Sequence, residues 1–174
     1  MSVVPSGKIE ILPVAGEHLP ALADLAGVIW RAYYPGITSS EQIEYMLARM
    51  YSLETLRAEI VSQGIRFYRL LADGRFAGFA SIGPTETAGV MKLHKLYLLP
   101  ELHGRGLGSR LLGLCEAEAR RLGARRLILT VNKLNAKAIA CYQRNGFAIA
   151  ESVTMDIGGG FVMDDFIMEK NLTA

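Results

Sequence analysis

The spacing of apolar positions along the chain changes near residue 65. Before this point, apolar residues recur every three or four positions in three segments, which predicts three helices. The first runs over 17–31, and the other two have Ser40 and Ser52 as their N-caps. A short apolar stretch, 9–13, precedes them and predicts an edge strand.

Strands dominate the pattern after residue 65. Apolar runs bounded by glycine, proline or an Asp-Gly turn predict six of them. These strands are 67–72, 76–82, 90–99, 127–131, 147–154 and 161–169. Helical spacing returns over 109–122 and 135–145, and a glycine follows each of these segments. This order predicts an α/β (α+β) fold, with a mixed central sheet and helices on both faces.

Length and composition favour one domain, which we place at 8–171. The chain has 174 residues, of which 51% are hydrophobic, and no linker or repeat divides it. Its 19 Lys and Arg residues against 17 Asp and Glu residues predict no nucleic-acid partner. Without a signal-peptide pattern or an apolar run of membrane-spanning length, we expect a cytoplasmic protein with no membrane partner.

Cysteine and the other metal-ligating residues point to no metal chemistry. Cys115 and Cys141 form neither a disulfide framework nor a CxxC site. No His, Cys, Asp or Glu cluster has the spacing of metal ligands, so we expect no bound metal. Cys141 also has no neighbour in sequence that would activate its thiol, which argues against a covalent mechanism.

A glycine-rich loop, 103–109, lies between a predicted strand and a predicted helix. Alternating glycines let the backbone approach a ligand closely, and the N–H groups of a helix N-terminus favour an anion. The loop therefore predicts a phosphate or pyrophosphate site, to which the guanidinium of Arg105 could contribute. Ser109 and Arg110 follow Gly108, so neither the Walker A nor the dinucleotide pattern is matched. A purely structural turn is the alternative.

A second polar segment follows the strand 127–131. Asn135 can cap the next helix, and Tyr142 lies about two helical turns further on, so both share one helix face. Both side chains could point into a cleft beside the strand 90–99. The alternatives are an ordinary N-cap for Asn135 and a core aromatic residue for Tyr142.

The two segments together resemble the motifs of the GCN5-related N-acetyltransferase (GNAT) superfamily. The loop pattern of that family, Q/R-x-x-G-x-G/A, is matched over 103–108, except that His103 replaces Gln or Arg. The resemblance covers nearly the whole chain. A second family motif, N-x-x-A-x-x-x-Y-x-x-x-G-F, is matched by Asn135, Ala138, Tyr142, Gly146 and Phe147.

This resemblance implies the GNAT fold, whose mixed, mostly antiparallel sheet is splayed in the middle. It also implies an acetyl-CoA-dependent N-acetyltransferase that moves an acetyl group to a primary amine by direct attack in a ternary complex. Leu96, Tyr97 and Leu98 would pair their backbone with the pantetheine arm, Asn135 would touch that arm, and Tyr142 would stand near the thioester sulfur. The residues that would hold the pyrophosphate are His103, Gly104, Arg105, Gly106, Leu107, Gly108 and Ser109.

Within the superfamily, the chain is most similar to the bacterial polyamine acetyltransferases that act on spermidine and spermine. The stretches 44–52, 95–100 and 165–170 carry this similarity. It implies a polyamine as the small-molecule amine acceptor. Two alternatives stay open: an acetyltransferase acting on protein N-termini or lysines, and a non-catalytic acyl-CoA-binding regulatory module. The sequence also leaves open a homodimer, the commonest closed assembly, and a longer acyl-CoA as donor.

The chemistry of acyl transfer requires an acid and a base. Tyr142 is the candidate general acid, since a tyrosine with a pKa of about 10 is protonated at pH 7. An alkyl ammonium group, with a pKa of about 10.4, must lose a proton before it attacks. The candidate bases are His94 on the strand 90–99, and Glu44 or Glu41 on the second helix. A water molecule that leads to bulk solvent is the alternative.

Alternation along the strand 90–99 assigns its side chains to two faces. It places His94, Leu96 and Leu98 on one face, and Lys95 and Tyr97 on the other. A backbone N–H near Leu98 is a candidate donor to the oxyanion. The acidic residues whose segments could rim the acceptor side of the cleft are Glu41, Glu44, Asp156, Asp164 and Asp165.

Overall fold

The computed structural model describes residues 7–173, which form a seven-stranded sheet and five α-helices. The elements are β1 (Ile9–Pro13), α1 (Leu19–Tyr33), α2 (Ser40–Met50), α3 (Leu53–Val61), β2 (Arg66–Ala72), β3 (Arg75–Pro84), β4 (Val90–Leu98), α4 (Leu107–Arg121), β5 (Arg126–Asn132), α5 (Ala136–Arg144), β6 (Ala148–Gly158) and β7 (Phe161–Asn171). Short 3-10 turns precede α1 and follow β4. The predicted order of elements is confirmed.

The sheet splays between its two central strands. The strand order is β1-β2-β3-β4-β5-β7-β6, and only the pair β4–β5 is parallel. These two strands pair only from Val90 opposite Arg126 to Leu93 opposite Leu129. Beyond Leu93, β4 pairs with β3 alone, so one edge of β4 faces an opening. The predicted mostly antiparallel, splayed sheet is confirmed.

One hydrophobic core lies on each face of the sheet. On the first face, α1, α2 and α3 pack against the strands, with Trp30 and Phe79 among the fully buried side chains. On the second face, α4 and α5 pack in the same way, with Leu111 and Leu127 fully buried. We call these the α1–α3 face and the α4–α5 face.

Two lysines tie helices to strands. Lys95 of β4 donates to both carboxylate oxygens of Glu59 in α3, at 2.9 and 2.8 Å, and 3% of its side chain is exposed. Lys170 of β7 donates to both oxygens of Glu116 in α4, at 2.9 Å each. Because a buried charge without its partner is strongly destabilising, each pair fixes its helix against the sheet.

The helix starts differ slightly from the sequence prediction. Ser39 rather than Ser40 caps α2, because the Ser39 hydroxyl accepts the backbone N–H of Gln42 at 3.2 Å. Ser52 caps α3 as predicted. The helix α4 begins two residues earlier than expected, with Gly106 in the N-cap position.

β4 contains a bulge at His94. Ser81 of β3 pairs with Lys95, whereas the next residue, Ile82, pairs with Leu93. His94 is therefore an extra residue in β4 with no partner in β3. A bulge interrupts the alternation of side chains, so residues before and after it cannot be assigned to faces by counting in twos.

The bulge changes the face on which His94 lies. Gly83 of β3 faces the α1–α3 core, because a Cβ added to it would lie 2.8 Å from Cγ1 of Ile65, a member of that core. The same Cβ would lie 3.3 Å from Nε2 of His94, so the imidazole is on this face too. Leu96, in contrast, packs against the α4–α5 core. The predicted grouping of His94 with Leu96 and Leu98 is therefore wrong, and His94 lies on the α1–α3 face.

Neither a membrane-spanning helix nor a metal-binding cluster occurs within residues 7–173. None of the described helices has the length and apolarity needed to cross a membrane. Within the same residues, no three His, Cys, Asp or Glu side chains are grouped so that they could hold a metal ion.

Candidate active site

A cavity of about 1010 Å³ opens where β4 and β5 splay. Its walls come from β4, the glycine loop, α5, and the helices α1 and α2. Two of the predicted catalytic residues, His94 and Tyr142, line it. The predicted cofactor-binding residues that line it are Leu96, Tyr97, Leu98, His103, Gly104, Gly106, Gly108, Ser109 and Asn135. The structure thus brings together most of the residues that the two motifs predicted.

Three predicted site residues lie outside the lining of this cavity. Arg105 is exposed on the loop, and Leu107 packs against a small core cluster beneath it. Glu44 has 57% of its side chain exposed and forms a two-pronged ion pair with Arg31, at 2.7 and 2.9 Å. This pair lowers the pKa of Glu44. Glu41, the other candidate base in α2, is exposed and does not line the cavity either.

The glycine loop has the geometry of an anion site. Gly104 and Gly106 have backbone φ angles of +73° and +75°, which residues other than glycine rarely adopt. A Cβ at either position would meet nothing within 4 Å, so backbone conformation rather than crowding requires glycine here. The N-cap Gly106 forms no side-chain cap hydrogen bond, and the first turn of α4 contains no acidic residue, so the first N–H groups of the helix remain available to a phosphate.

His103, the one departure from the family loop motif, ties the loop to the end of β4. Its Nε2 lies 3.1 Å from the carbonyl oxygen of Leu98 and donates to it. Its ring also packs edge-to-face on Tyr33 of α1, with the ring centres 5.5 Å apart. The histidine thereby holds the loop against both β4 and α1.

The amide of Asn135 is oriented by two hydrogen bonds. Its Oδ1 accepts the backbone N–H of Ala138 at 3.3 Å, as expected of an N-cap, and also the hydroxyl of Tyr33 at 2.6 Å. With Oδ1 occupied twice, the amide NH₂ is left to donate to a ligand. Asn135 is 6% exposed and lines the cavity, which suits a donor to a pantetheine carbonyl.

Sequence reasoning missed Tyr33 as a site residue. In the sequence, Pro35 and Gly36 follow two tyrosines, and this pattern predicts only a turn that ends the helix. The two adjacent tyrosines at the end of an amphipathic helix were the available signal, since tyrosine combines an apolar ring with a polar tip.

Tyr142 has the protonation state of a general acid. It is buried, it lines the cavity, and its ring packs edge-to-face on Phe147. Burial raises the pKa of Tyr142 well above its usual value, and the nearby Tyr34 adds to this. The phenol is therefore fully protonated at neutral pH and can donate.

His94 has the opposite protonation state. Its Nε2 is buried and has no hydrogen-bond partner among residues 7–173. Burial lowers the pKa of His94 to about 4, and the positive charges of Lys92 and Lys95 act in the same direction. The imidazole is therefore neutral at pH 7 and keeps a lone pair that can accept a proton.

On the α1–α3 face, the cavity has aromatic walls that the sequence did not predict. Trp30 stacks on Tyr34 with the ring centres 4.5 Å apart, and its ring lies 5.7 Å from that of Tyr97. Burial raises the pKa values of Tyr34 and Tyr97 well above the usual value, so both phenols are neutral. Asp165 is the only carboxylate among the described residues that line the cavity.

Comparison with known proteins agrees with this geometry. Residues 24–147 match the model of the acetyltransferase (GNAT) family. The chain belongs to the GNAT family. GNAT acetyltransferases use acetyl-CoA as co-substrate, so this chain is an acetyl-CoA-dependent N-acetyltransferase.

The alignments with several relatives cover nearly the whole of this chain. A spermidine N(1)-acetyltransferase of Thermoplasma acidophilum is 34% identical over 167 residues, which are 94% of this chain and 97% of the relative. The crystal structure of the PaiA N-acetyltransferase of the same organism, in complex with coenzyme A, has a TM-score of 0.79 and 31% identity over 95% of this chain and 99% of that one. The ribosomal-protein-S18-alanine N-acetyltransferase of Escherichia coli has a TM-score of 0.72 at 21% identity, over 96% of both chains, and shows the fold alone.

Proposed function

We propose that this enzyme acetylates a primary amine of a polyamine by direct attack within a ternary complex. The observation that carries the proposal is a single cavity with two kinds of wall. One wall contains the glycine loop with its free backbone N–H groups, and the other contains aromatic rings and the carboxylate of Asp165. The similarity to a spermidine N(1)-acetyltransferase over nearly the whole chain supports the same acceptor class.

In the proposed reaction, a C–N bond forms as the C–S bond of the thioester breaks. At pH 7 the acceptor is an ammonium ion, which releases one proton to solvent before attack. Its nitrogen loses a second proton as the amide forms, and the sulfur of coenzyme A gains one, so no other reactant is needed. Beyond Leu93, one edge of β4 has no partner strand, so its backbone N–H groups are available to the thioester oxygen. We assign this role to the backbone N–H near Leu98.

We assign the two proton transfers to Tyr142 and His94. Tyr142 stays protonated at neutral pH and is the candidate donor to the sulfur. His94 stays neutral and is the candidate acceptor of the amine proton, whose acidity rises as the C–N bond forms. His94 lies on the α1–α3 face, the same side as the proposed amine pocket. Glu44 has no part in this assignment, because its carboxylate is paired with Arg31 outside the cavity.

A thiol-release assay with acetyl-CoA tests the acceptor class. The panel comprises spermidine, spermine, a diamine, butylamine, and a peptide with a free N-terminus and a lysine. We expect kcat/KM for the polyamines to exceed that for butylamine by about tenfold or more, the equivalent of one good ionic contact. Turnover of the peptide without turnover of polyamines would instead support a protein acetyltransferase. Tight acetyl-CoA binding without turnover of any amine would support a regulatory module.

Mass spectrometry of the intact protein tests direct attack. With acetyl-CoA alone, we expect the mass of the enzyme to stay unchanged, because no residue carries the acetyl group between donor and acceptor. An acetylated enzyme that passes its acetyl group to spermidine after removal of acetyl-CoA would contradict the ternary-complex mechanism.

A further inference from the structure

Asp165 lies at the end of the opening between the central strands. It is in β7, opposite Asn132, the last residue of β5. The adjacent Phe166 packs against the α4–α5 core, so Asp165 points to the α1–α3 face. It is 1% exposed and lines the cavity.

The carboxylate of Asp165 lacks the partners that a buried charge needs. Neither of its oxygens has a hydrogen-bond partner among the described residues. The neighbouring Asp164, on the opposite face of β7, is exposed and bonds to both Lys133 and Thr154. A buried carboxylate without partners is costly, and an isosteric Asn would avoid the charge. Such a cost is typical of a functional position, where a bound ligand supplies the missing partners.

The other charged groups that the structure describes near Asp165 form no hydrogen bond with its carboxylate. Lys92 and Lys133 favour its charged form electrostatically, yet neither forms a hydrogen bond with it. Lys133 is bonded to Asp164 instead. Burial outweighs these lysines and raises the pKa of Asp165 above its usual value. The carboxylate can therefore still gain from a cation that makes direct contact.

The surroundings of Asp165 suit a cation joined to a methylene chain. Tyr34 is close enough to Asp165 for the carboxylate to raise its pKa, and it stacks on Trp30. Aromatic faces attract an ammonium group and also bury methylene groups. Three methionines, which adapt to chains of different shape, complete this wall of the cavity: Met46, Met50 and Met163.

A carboxylate in contact with the reacting amine would hold the proton that the amine must lose. The carboxylate of Asp165 is better suited to bind an ammonium group that stays charged during the reaction. We propose that Asp165 binds the ammonium group of the acceptor that is not acetylated, and so makes the enzyme select polyamines over monoamines. This inference rests on the proposed polyamine acetyltransferase function.

The test compares Asp165→Asn with the matched variant Asp164→Asn on two acceptors, spermidine and butylamine. In Asp165→Asn, we expect kcat/KM for spermidine to fall about tenfold or more, mainly through KM, and kcat/KM for butylamine to stay within about twofold. Asp164→Asn should leave both values within about twofold, because Asp164 does not line the cavity.

Thermal unfolding gives a readout that is independent of turnover. Spermidine should raise the Tm of the wild type and of Asp164→Asn, and this rise should be lost in Asp165→Asn. Without ligand, Asp165→Asn should unfold at a higher temperature than the wild type, because it removes an unpartnered buried charge. A fall in this Tm would indicate a structural role and contradict the proposal.

The remaining outcomes separate this proposal from the function on which it rests. An equal loss for spermidine and butylamine in Asp165→Asn would show that Asp165 acts on the reacting nitrogen, and no loss for either would show that it binds no amine. Both results overturn the proposal and leave polyamine acetylation in place. A wild-type enzyme that acetylates no polyamine would overturn both.

Discussion

The two walls of the cavity are built in different ways. The wall on the cofactor side consists of the glycine loop, which follows β4 after a short 3-10 turn, and the start of α5, which follows β5. Its polar side chains have partners: His103 bonds to the Leu98 carbonyl, and Asn135 to Tyr33. The wall on the acceptor side combines residues from α1, α2, β4 and β7.

On the acceptor side, several buried polar atoms have no hydrogen-bond partner within residues 7–173. They are Nε1 of Trp30, Nε2 of His94 and both carboxylate oxygens of Asp165. Unpaired buried polar groups destabilise the free protein, and a ligand that supplies their partners regains that energy on binding. The difference teaches that the side chains of the cofactor side are held in place by bonds within the protein, whereas on the proposed function those of the acceptor side gain their partners from the amine.

The largest effect that we expect comes from Tyr142, which is close to both walls. Removing its hydroxyl in Tyr142→Phe should lower kcat about 100-fold or more, because the leaving sulfur loses its proton donor. The Kd for acetyl-CoA, measured by calorimetry, should change by less than about twofold. Tyr45→Phe is the matched control, since its hydroxyl bonds to the Ile157 carbonyl outside the cavity. A weaker Kd with an unchanged kcat would place Tyr142 in the cofactor wall alone.

A smaller effect, confined to the cofactor side, is expected for Gly106→Val. A β-branched residue at a φ of +75° costs about 1–3 kcal/mol, which the loop can relieve only by moving its N–H groups. The Kd for coenzyme A should therefore rise about 5- to 150-fold in calorimetry, with KM for the amine nearly unchanged.

The control for this change is Gly113→Ala, in the same helix. A Cβ there meets nothing within 4 Å, so the free energy of unfolding should increase by about 0.5–1 kcal/mol without a change in Kd. If Gly106→Val raised KM for the amine as much as Kd for coenzyme A, the substitution would weaken binding at both walls, and the two walls would not act independently.

The smallest expected effect is that of Tyr33→Phe. Without the hydroxyl, the amide of Asn135 loses one of its two orienting bonds, worth about 0.5–1.5 kcal/mol. KM for acetyl-CoA should rise about 2- to 10-fold, with kcat unchanged. Asn135→Ala should remove the same interaction, so the double variant should be no worse than Asn135→Ala alone. Additive losses would show that Tyr33 acts independently of Asn135.

Much of the fold and of the cofactor side could be predicted from the sequence. Periodic apolar residues indicated the helices and strands, and the loop and the Asn135–Tyr142 pair were visible as short motifs. Such features depend on residues close together in the chain, whose geometry is set by the backbone of one element. The family resemblance then correctly implied the splayed sheet.

The acceptor side could not be predicted in the same way. Five acidic residues were candidates for it, and only packing decided that Asp165 is buried while Glu44 pairs with Arg31 at the surface. Counting in twos along β4 placed His94 on the wrong face, because a one-residue bulge does not alter the apolar pattern.

The sequence by itself therefore determined the family, the elements and the glycine loop, since each is encoded in contiguous residues. Only the tertiary structure decided which polar groups meet and which stay unpartnered. Tyr33 and Asn135, which share a hydrogen bond, are 102 residues apart. Such a contact depends on how whole helices pack on the sheet, and no local spacing of residue types encodes it.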